Sequence, residues 1–290
     1  MDWSKAKNIL IIAFIITNLF LLFNIEKDIM RQENFFTITN KYVEEVKAHL
    51  NENGIKVNTE IPLETQSLPV LFVKYNTFNI EEIGPKLLGE YTEIDNNTYA
   101  SESGIVNIVG GKKITYKRTE KCEPIYSLDE NKAKTISEDF LLEHNLNFSQ
   151  LHLSQIYFGK VVEFGDNPVY ILVYEQLYNN HFLGESYINV YVNKHGIIGF
   201  EAMLLEYDKT YPQKRKIIPA TEALLRKIND MVNDNPYDDI IVNNIELGYY
   251  FDPESVNVAD WRDIESGTAF PTWRITLNNG KTYYVEGYKN

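Results

Sequence analysis

Five histidines and one cysteine are the residues best suited to metal or nucleophilic chemistry. His49, His144, His152, His181 and His195 form no His-Glu-x-x-His pattern and no cysteine-containing spacing that wraps a tetrahedral metal. Cys122 stands alone, so an internal disulfide is not available. No Gly-x-Ser-x-Gly elbow, phosphate loop or Ser-x-x-Lys run occurs. Carboxylates are densest at Asp238-Asp239 and at Asp260, Asp263 and Glu265. The second group lacks the alternating oxygens and central glycine of a calcium loop, and reads as a solvated loop. A glycosidase needs two carboxylates on opposite sides of a sugar, and nothing singles out such a pair. The sequence therefore predicts no catalytic centre, no metal and no cofactor.

Chemistry of another kind is concentrated near the start. Residues 9–23 are rich in Ile, Leu and Phe and interrupted by Thr17 and Asn18. Residues 6–25 as a helix would be about 30 Å long, enough to cross a bilayer core. Ala6, Ala13, Thr17 and Asn24 recur at helical spacing on one stripe, and Asn18 lies on a neighbouring face near the bilayer centre. Small residues and interhelical hydrogen bonds hold helices together in lipid. Ala13, Thr17, Asn18 and Asn24 are accordingly the candidate partner-binding residues. The competing reading is that Thr17 bonds its own backbone and a single Asn is tolerated.

Lys5 and Lys7 precede the run, and its far end, residues 22–27, has no Ala, Gly or Ser for a signal peptidase. The expectation is a retained anchor. Basic residues beside a span stay cytoplasmic, which puts the N-terminus inside and the body outside the cell membrane in a single pass.

The elements that follow alternate between helical and extended periodicity. Thr39 caps an amphipathic helix over residues 40–53, with Tyr42, Val43, Val46 and Leu50 as its apolar side. A strand over 67–75 follows. A short helix over 80–88 contains Pro85, which should kink or break it. Strands over 91–94, 99–108 and 113–118 complete a first unit. A second unit opens with a helix over 128–144 and continues in strands over 151–164, 169–177, 186–192 and 197–206. Pro219 opens a third, with a helix over 220–233 and strands over 240–251, 272–277 and 281–288. Asn279-Gly280 marks a tight hairpin whose two central residues should both take positive φ.

The fold class is thus α+β: one transmembrane helix followed by helix-plus-antiparallel-meander units. The boundaries fall at 1–30 for the stub and anchor, then 31–124, 125–208 and 209–290. A helix on one face of a meander leaves the other face wet, and here that face is rich in Tyr.

Charge narrows the partners. With 28 Lys+Arg against 41 Asp+Glu, the formal net charge is −13. Phosphate-backbone binding depends on counterion release by basic groups, so nucleic acid is not an expected partner. Anionic lipid and anionic wall polymers are disfavoured for the same reason.

Met1-Asp-Trp-Ser-Lys5 running into an apolar segment with central Asn18 resembles the start of the YycI (WalI) proteins of low-GC Gram-positive bacteria. Phe270-Pro-Thr-Trp-Arg-Ile275 and Gly280-Lys-Thr-Tyr-Tyr-Val285 resemble that family's ending, and the likeness covers essentially the whole chain. The resemblance implies a non-enzymatic regulator. It would act with a YycH-like sister protein on the sensor histidine kinase of the WalK–WalR (YycG–YycF) two-component system, which controls cell-wall metabolism. Contact with the kinase would run largely through transmembrane helices. It also implies YycH-like domains and, more loosely, PepSY-like ones. The alternatives are an extracytoplasmic PepSY-like binding or protease-inhibitor module and an anchored wall hydrolase.

Overall fold

A computed structural model describes residues 7, 13–21, 38–120, 122–144, 146, 151–165, 167–256, 258 and 260–288. Residues 13–21 are helical, and no helix among the described residues is long and apolar enough to cross a membrane. The span expected over 6–25 extends outside the described residues, as does Asn24.

Thr39 begins helix α1 (Asn40–Glu52) as its sequence requires: the hydroxyl accepts from the Tyr42 N–H at 3.3 Å. Val43, Val46 and Leu50 form the buried stripe, while Tyr42 is exposed. Gly54, at φ +80°, turns the chain into β1 (Ile55–Val57), which the periodicity does not announce. β2 (Ser67–Tyr75) lies where alternation places it. Helix α2 (Ile80–Leu87) continues through Pro85, which has no N–H to donate to the Glu81 carbonyl. The strand expected over 99–108 is two strands, β4 (Thr98–Ala100) and β5 (Gly104–Val109), preceded by β3 (Thr92–Asp95) and followed by β6 (Lys113–Arg118).

Asp129 caps α3 (Glu130–Glu143) by accepting from the Lys132 N–H at 2.8 Å. The meander β7 (Leu151–Gly159), β8 (Val169–Tyr178), β9 (His181–Asn193) and β10 (Gly196–Met203) follows, antiparallel throughout. A further strand, β11 (Leu205–Lys216), has no alternation to reveal it and contains Pro212. It survives as a strand because it is an edge, where a missing N–H disrupts no ladder. The helix expected over 220–233 is two, α4 (Ala220–Arg226) and α5 (Ile228–Asp234), meeting at Lys227. β12 (Ile240–Phe251), β13 (Ser266–Leu277) and β14 (Thr282–Glu286) close the chain.

Among the described residues the strands form one mixed sheet of fourteen, with the path β11-β2-β13-β12-β9-β10-β6-β5-β4-β3. The periodicity suggests antiparallel pairing alone, and the sheet departs from it in two places. β1 pairs parallel to the start of β12 (Ile55↔Ile240), and β9 pairs parallel to its end (Leu183↔Tyr249, Gly184↔Tyr250). Both are crossovers between distant segments, so local periodicity carries no sign of them.

Three cores form among the described residues. In the first, α1, α4 and α5 pack on β12–β14 through Leu50, Ala223, Leu224, Met231, Ile275 and Leu277. The Trp273 indole N–H is buried there and donates to the Ile218 carbonyl at 2.8 Å. In the second, α2 and α3 pack on β5, β6 and β8–β10 through Val106, Ile114, Leu172, Val190 and Phe200. The third lies between them, around Leu71, Val73, Leu205, Tyr249 and Phe251. Each fully buried side chain of this size contributes about 1.5–3 kcal/mol.

Candidate functional site

β9 is the strand that joins the two halves of the sheet. Residues 183–184 run beside β12, and residues 187–193 run between β8 and β10. Along β9, Ser186, Ile188, Val190 and Val192 point into buried space, so Glu185, Tyr187 and Asn189 take the opposite face. Glu201 of β10 stands opposite Asn189 in register, and Val173 of β8 flanks it on the other side. On β13, Trp273 and Ile275 enter the first core, which leaves Arg274 on the other face between Glu246 of β12 and Tyr284 of β14.

Together these residues line a cleft of about 430 Å³ at the seam, with Gln155 and Tyr157 of β7 and Glu175 of β8 completing its wall. The wet, tyrosine-bearing face left by the α3 meander is therefore part of a concave site.

Arg274 clasps the seam. Its Nη1 and Nη2 donate to the two Glu175 oxygens at 2.6 and 2.7 Å, across 99 residues of chain. Nε and Nη2 donate to Glu246 Oε1 at 3.0 and 2.8 Å. The Phe182 ring lies 4.1 Å from the guanidinium carbon. Burial pushes Arg274 down; the hydrogen bond and charge of Glu175, then Glu246, override it, and the net shift is upward. Four of the five guanidinium N–H groups are spent on these two carboxylates, whose negative charge also disfavours an anion beside it.

Glu185 is different. It is a non-glycine residue at φ +68°, a conformation that costs an L-residue energy. Its carboxylate accepts from the Tyr250 hydroxyl at 3.3 Å, and no Lys or Arg among the described residues pairs with it. Burial raises its pKa above the usual carboxylate value; the Tyr250 bond opposes that, and Asp252 adds to it. Glu201 is balanced by Lys113 at 3.1 Å and accepts from Asn189 Nδ2 at 3.2 Å. That bond fixes the amide's orientation and leaves Asn189 Oδ1 buried without a partner. Tyr157, Tyr187 and Tyr284 are all raised by burial first, as phenols are when their anion is desolvated.

The residues singled out in the sequence lie elsewhere. Thr17 Oγ1 donates to the Ala13 carbonyl at 2.9 Å, the local bond weighed above against a lateral one. Asn18 is exposed on the same helical segment. The histidines do not converge: Nδ1 of His144, His181 and His195 lies at 3.0, 3.0 and 2.9 Å from the carbonyls of Phe140, Leu247 and Cys122, and His49 pairs with Glu52 at 3.5 Å. Among the described residues no group of three or more His, Cys, Asp or Glu is placed to hold a metal ion. Asp260 caps a single 3-10 turn (Trp261–Asp263), and the Arg262 side-chain bond holds its carboxyl down at about 2. It is a loop-building residue.

Sequence reasoning missed Arg274, Glu175, Glu185 and Asn189. The one visible signal was a lone arginine at an alternate position of an apolar strand.

A large mixed sheet with helices packed on one face of each half defines an α+β protein of the class seen in two crystal structures. One is an uncharacterized protein from Eubacterium rectale ATCC 33656, at TM-score 0.52 and 12% identity over 84% of this chain and 94% of that one. The other is YycH from Bacillus subtilis, at TM-score 0.50 and 12% identity over 77% of this chain. The match spans 53% of YycH, about half its length. No curated protein matches the chain. A family model described as YycI protein matches residues 33–288, and the chain belongs to that family.

Proposed function

We propose that this chain is a non-enzymatic, membrane-anchored accessory protein that, with a YycH-like sister, biases a WalK-like sensor histidine kinase controlling cell-wall metabolism. The observation that carries the reading is the family match over residues 33–288, nearly all of the chain beyond the expected span. The likeness in fold to YycH supports a sister relationship between the two bodies.

In this reading the anchor crosses the cell membrane with its N-terminus inside, and the α+β body stands outside. Regulation requires a contact free energy that differs between two kinase states, and a tenfold change in their ratio needs about 1.4 kcal/mol. One interhelical hydrogen bond in lipid supplies about 0.6–2 kcal/mol. Thr17 already donates to Ala13, so Asn18 is the stronger lateral donor of the two. Co-purification with the kinase and kinase autophosphorylation in nanodiscs test this directly. Asn18→Leu is expected to weaken association and shift output more than Thr17→Val does. Unchanged association and output in the combined Thr17→Leu, Asn18→Leu chain removes the anchor from the mechanism.

A further inference from the structure

The charges of the seam cleft are not fully balanced. The charge of Arg274 is offset by Glu175 and Glu246, and Lys113 is paired with Glu201. What remains is a carboxylate without a cation, Glu185, and a buried amide oxygen without a donor, Asn189 Oδ1. Behind them, Tyr75 is 4% exposed, its hydroxyl has no partner, and it lies within the field of the Glu185 charge. Glu185, Tyr187 and Asn189 follow one another along the cleft side of β9, with Glu185 at the irregularity where the register against β8 shifts. Tyr157 and Tyr284 supply further ring surface in the same cleft. The cleft therefore carries a carboxylate that no cation offsets, set among tyrosine rings whose hydroxyls can donate or accept. Acceptors held apart along a strand, with a ring between them, suit a long organic ion better than a compact one.

We propose that the cleft binds an elongated organic cation, an alkylammonium or guanidinium group whose N–H donors reach Glu185 and Asn189 Oδ1 while its methylene body lies along Tyr187. Carboxylate pairing and cation–π attraction act on the same guest, and both strengthen as the cleft sheds water. The cavity volume lies within the range of small-ligand sites. Such a cation has two sources, a free polyamine and a lysine or arginine side chain of a polypeptide. The inference stands independently of the kinase reading, since it concerns only the cleft.

Calorimetric titration of the full chain in nanodiscs separates the outcomes. The probes are spermidine, acetyl-Ala-Lys-Ala-amide and its neutral counterpart with norleucine in place of lysine. Saturable binding of spermidine alone supports a free amine, and tighter binding of the lysine peptide supports a polypeptide side chain. In either case the norleucine peptide is expected to bind at least about tenfold more weakly than the lysine peptide or not at all, and Glu185→Gln to weaken the cation about tenfold. Absence of binding by both cations overturns the proposal, as does equal binding of the lysine and norleucine peptides. The peptide comparison is made on the unaltered chain, so it decides the matter even if the Glu185→Gln chain, checked by its thermal midpoint, does not fold.

Discussion

Arg274 and Glu185 face the same cleft and are charged oppositely in consequence as well as in sign. Arg274 is 10% exposed in its side chain and joins the sheet halves through Glu175, 18% exposed, and Glu246, 36% exposed. Removing a partly buried cation leaves two carboxylates facing each other. Arg274→Ala is expected to destabilise the chain by about 2–3 kcal/mol, below the range for fully buried pairs because water reaches Glu246. Arg274→Met with Glu175→Met in one chain should recover at least half of that loss, and Arg274→Lys should not, because a single ammonium cannot bridge both carboxylates bidentately. Urea unfolding of the three variants checks the order.

Glu185 works the other way. Its folded-state pKa is raised, so the folded chain holds that proton more tightly than the unfolded chain does. The stability it contributes is present below the ordinary Glu pKa and lost as pH rises through the raised value. Glu185→Gln is therefore expected to be more stable than the parent near neutral pH, with the gap closing as pH falls through that window. Thermal midpoints of both chains between pH 4 and pH 7, at fixed ionic strength, test it; a constant gap counts against the assignment. Little of this was legible in advance. Residues Glu175, Glu185 and Arg274 lie in unremarkable strands, and their roles arise from pairing across 99 residues for Arg274 with Glu175 and 65 for Glu185 with Tyr250.

At the scale of elements, local signals were readable where local geometry decides. Thr39 and Asp129 cap their helices because an oxygen must meet orphan N–H groups, and that need is written in neighbouring residues. Asn279-Gly280 does make a hairpin, but only Gly280 takes a positive φ, +83°. The Gly280 N–H donates to the Leu277 carbonyl and the Leu277 N–H to the Lys281 carbonyl, a three-residue loop in place of the two-residue one expected. Loop length depended on where β14 found its partner.

β12 pairs with β13 as the meander reading expects, but no local pattern predicts its parallel partners β1 and β9. A Cβ on Gly248 would fall 2.2 Å from the Phe182 ring, and that ring lies against Arg274. Gly248→Ala is accordingly expected to cost about 1–3 kcal/mol and to loosen the seam. Its urea midpoint should drop, and spermidine or lysine-peptide affinity should fall with it if the cleft is shaped by β12.

At the scale of the whole molecule, the helix-plus-meander periodicity and the cores do not share boundaries. Residues of α1, β1 and β2 pack with α4, α5 and β12–β14, while α2, β5 and β6 pack with α3 and β8–β10. A fragment of residues 31–124 is therefore expected to lack a cooperative unfolding transition, because the apolar faces of α1, β1 and β2 have their partners in the last helices and strands of the chain. A chain of residues 38–288 should show a single one, by circular dichroism and by tryptophan fluorescence alike.

Family membership, the apolar opening segment, the acidic charge balance, the capped helices and the positions of most strands are written in the residues themselves. Each of these rests on composition or on contacts within a few residues, which period and capping chemistry encode directly. The crossover of β2 into the last meander, the parallel seam of β9 on β12, and the cleft that seam opens exist only in the folded chain. Those features come from backbone pairing between segments far apart in the chain, and a hydrogen-bonding backbone carries no residue-specific label for its distant partner.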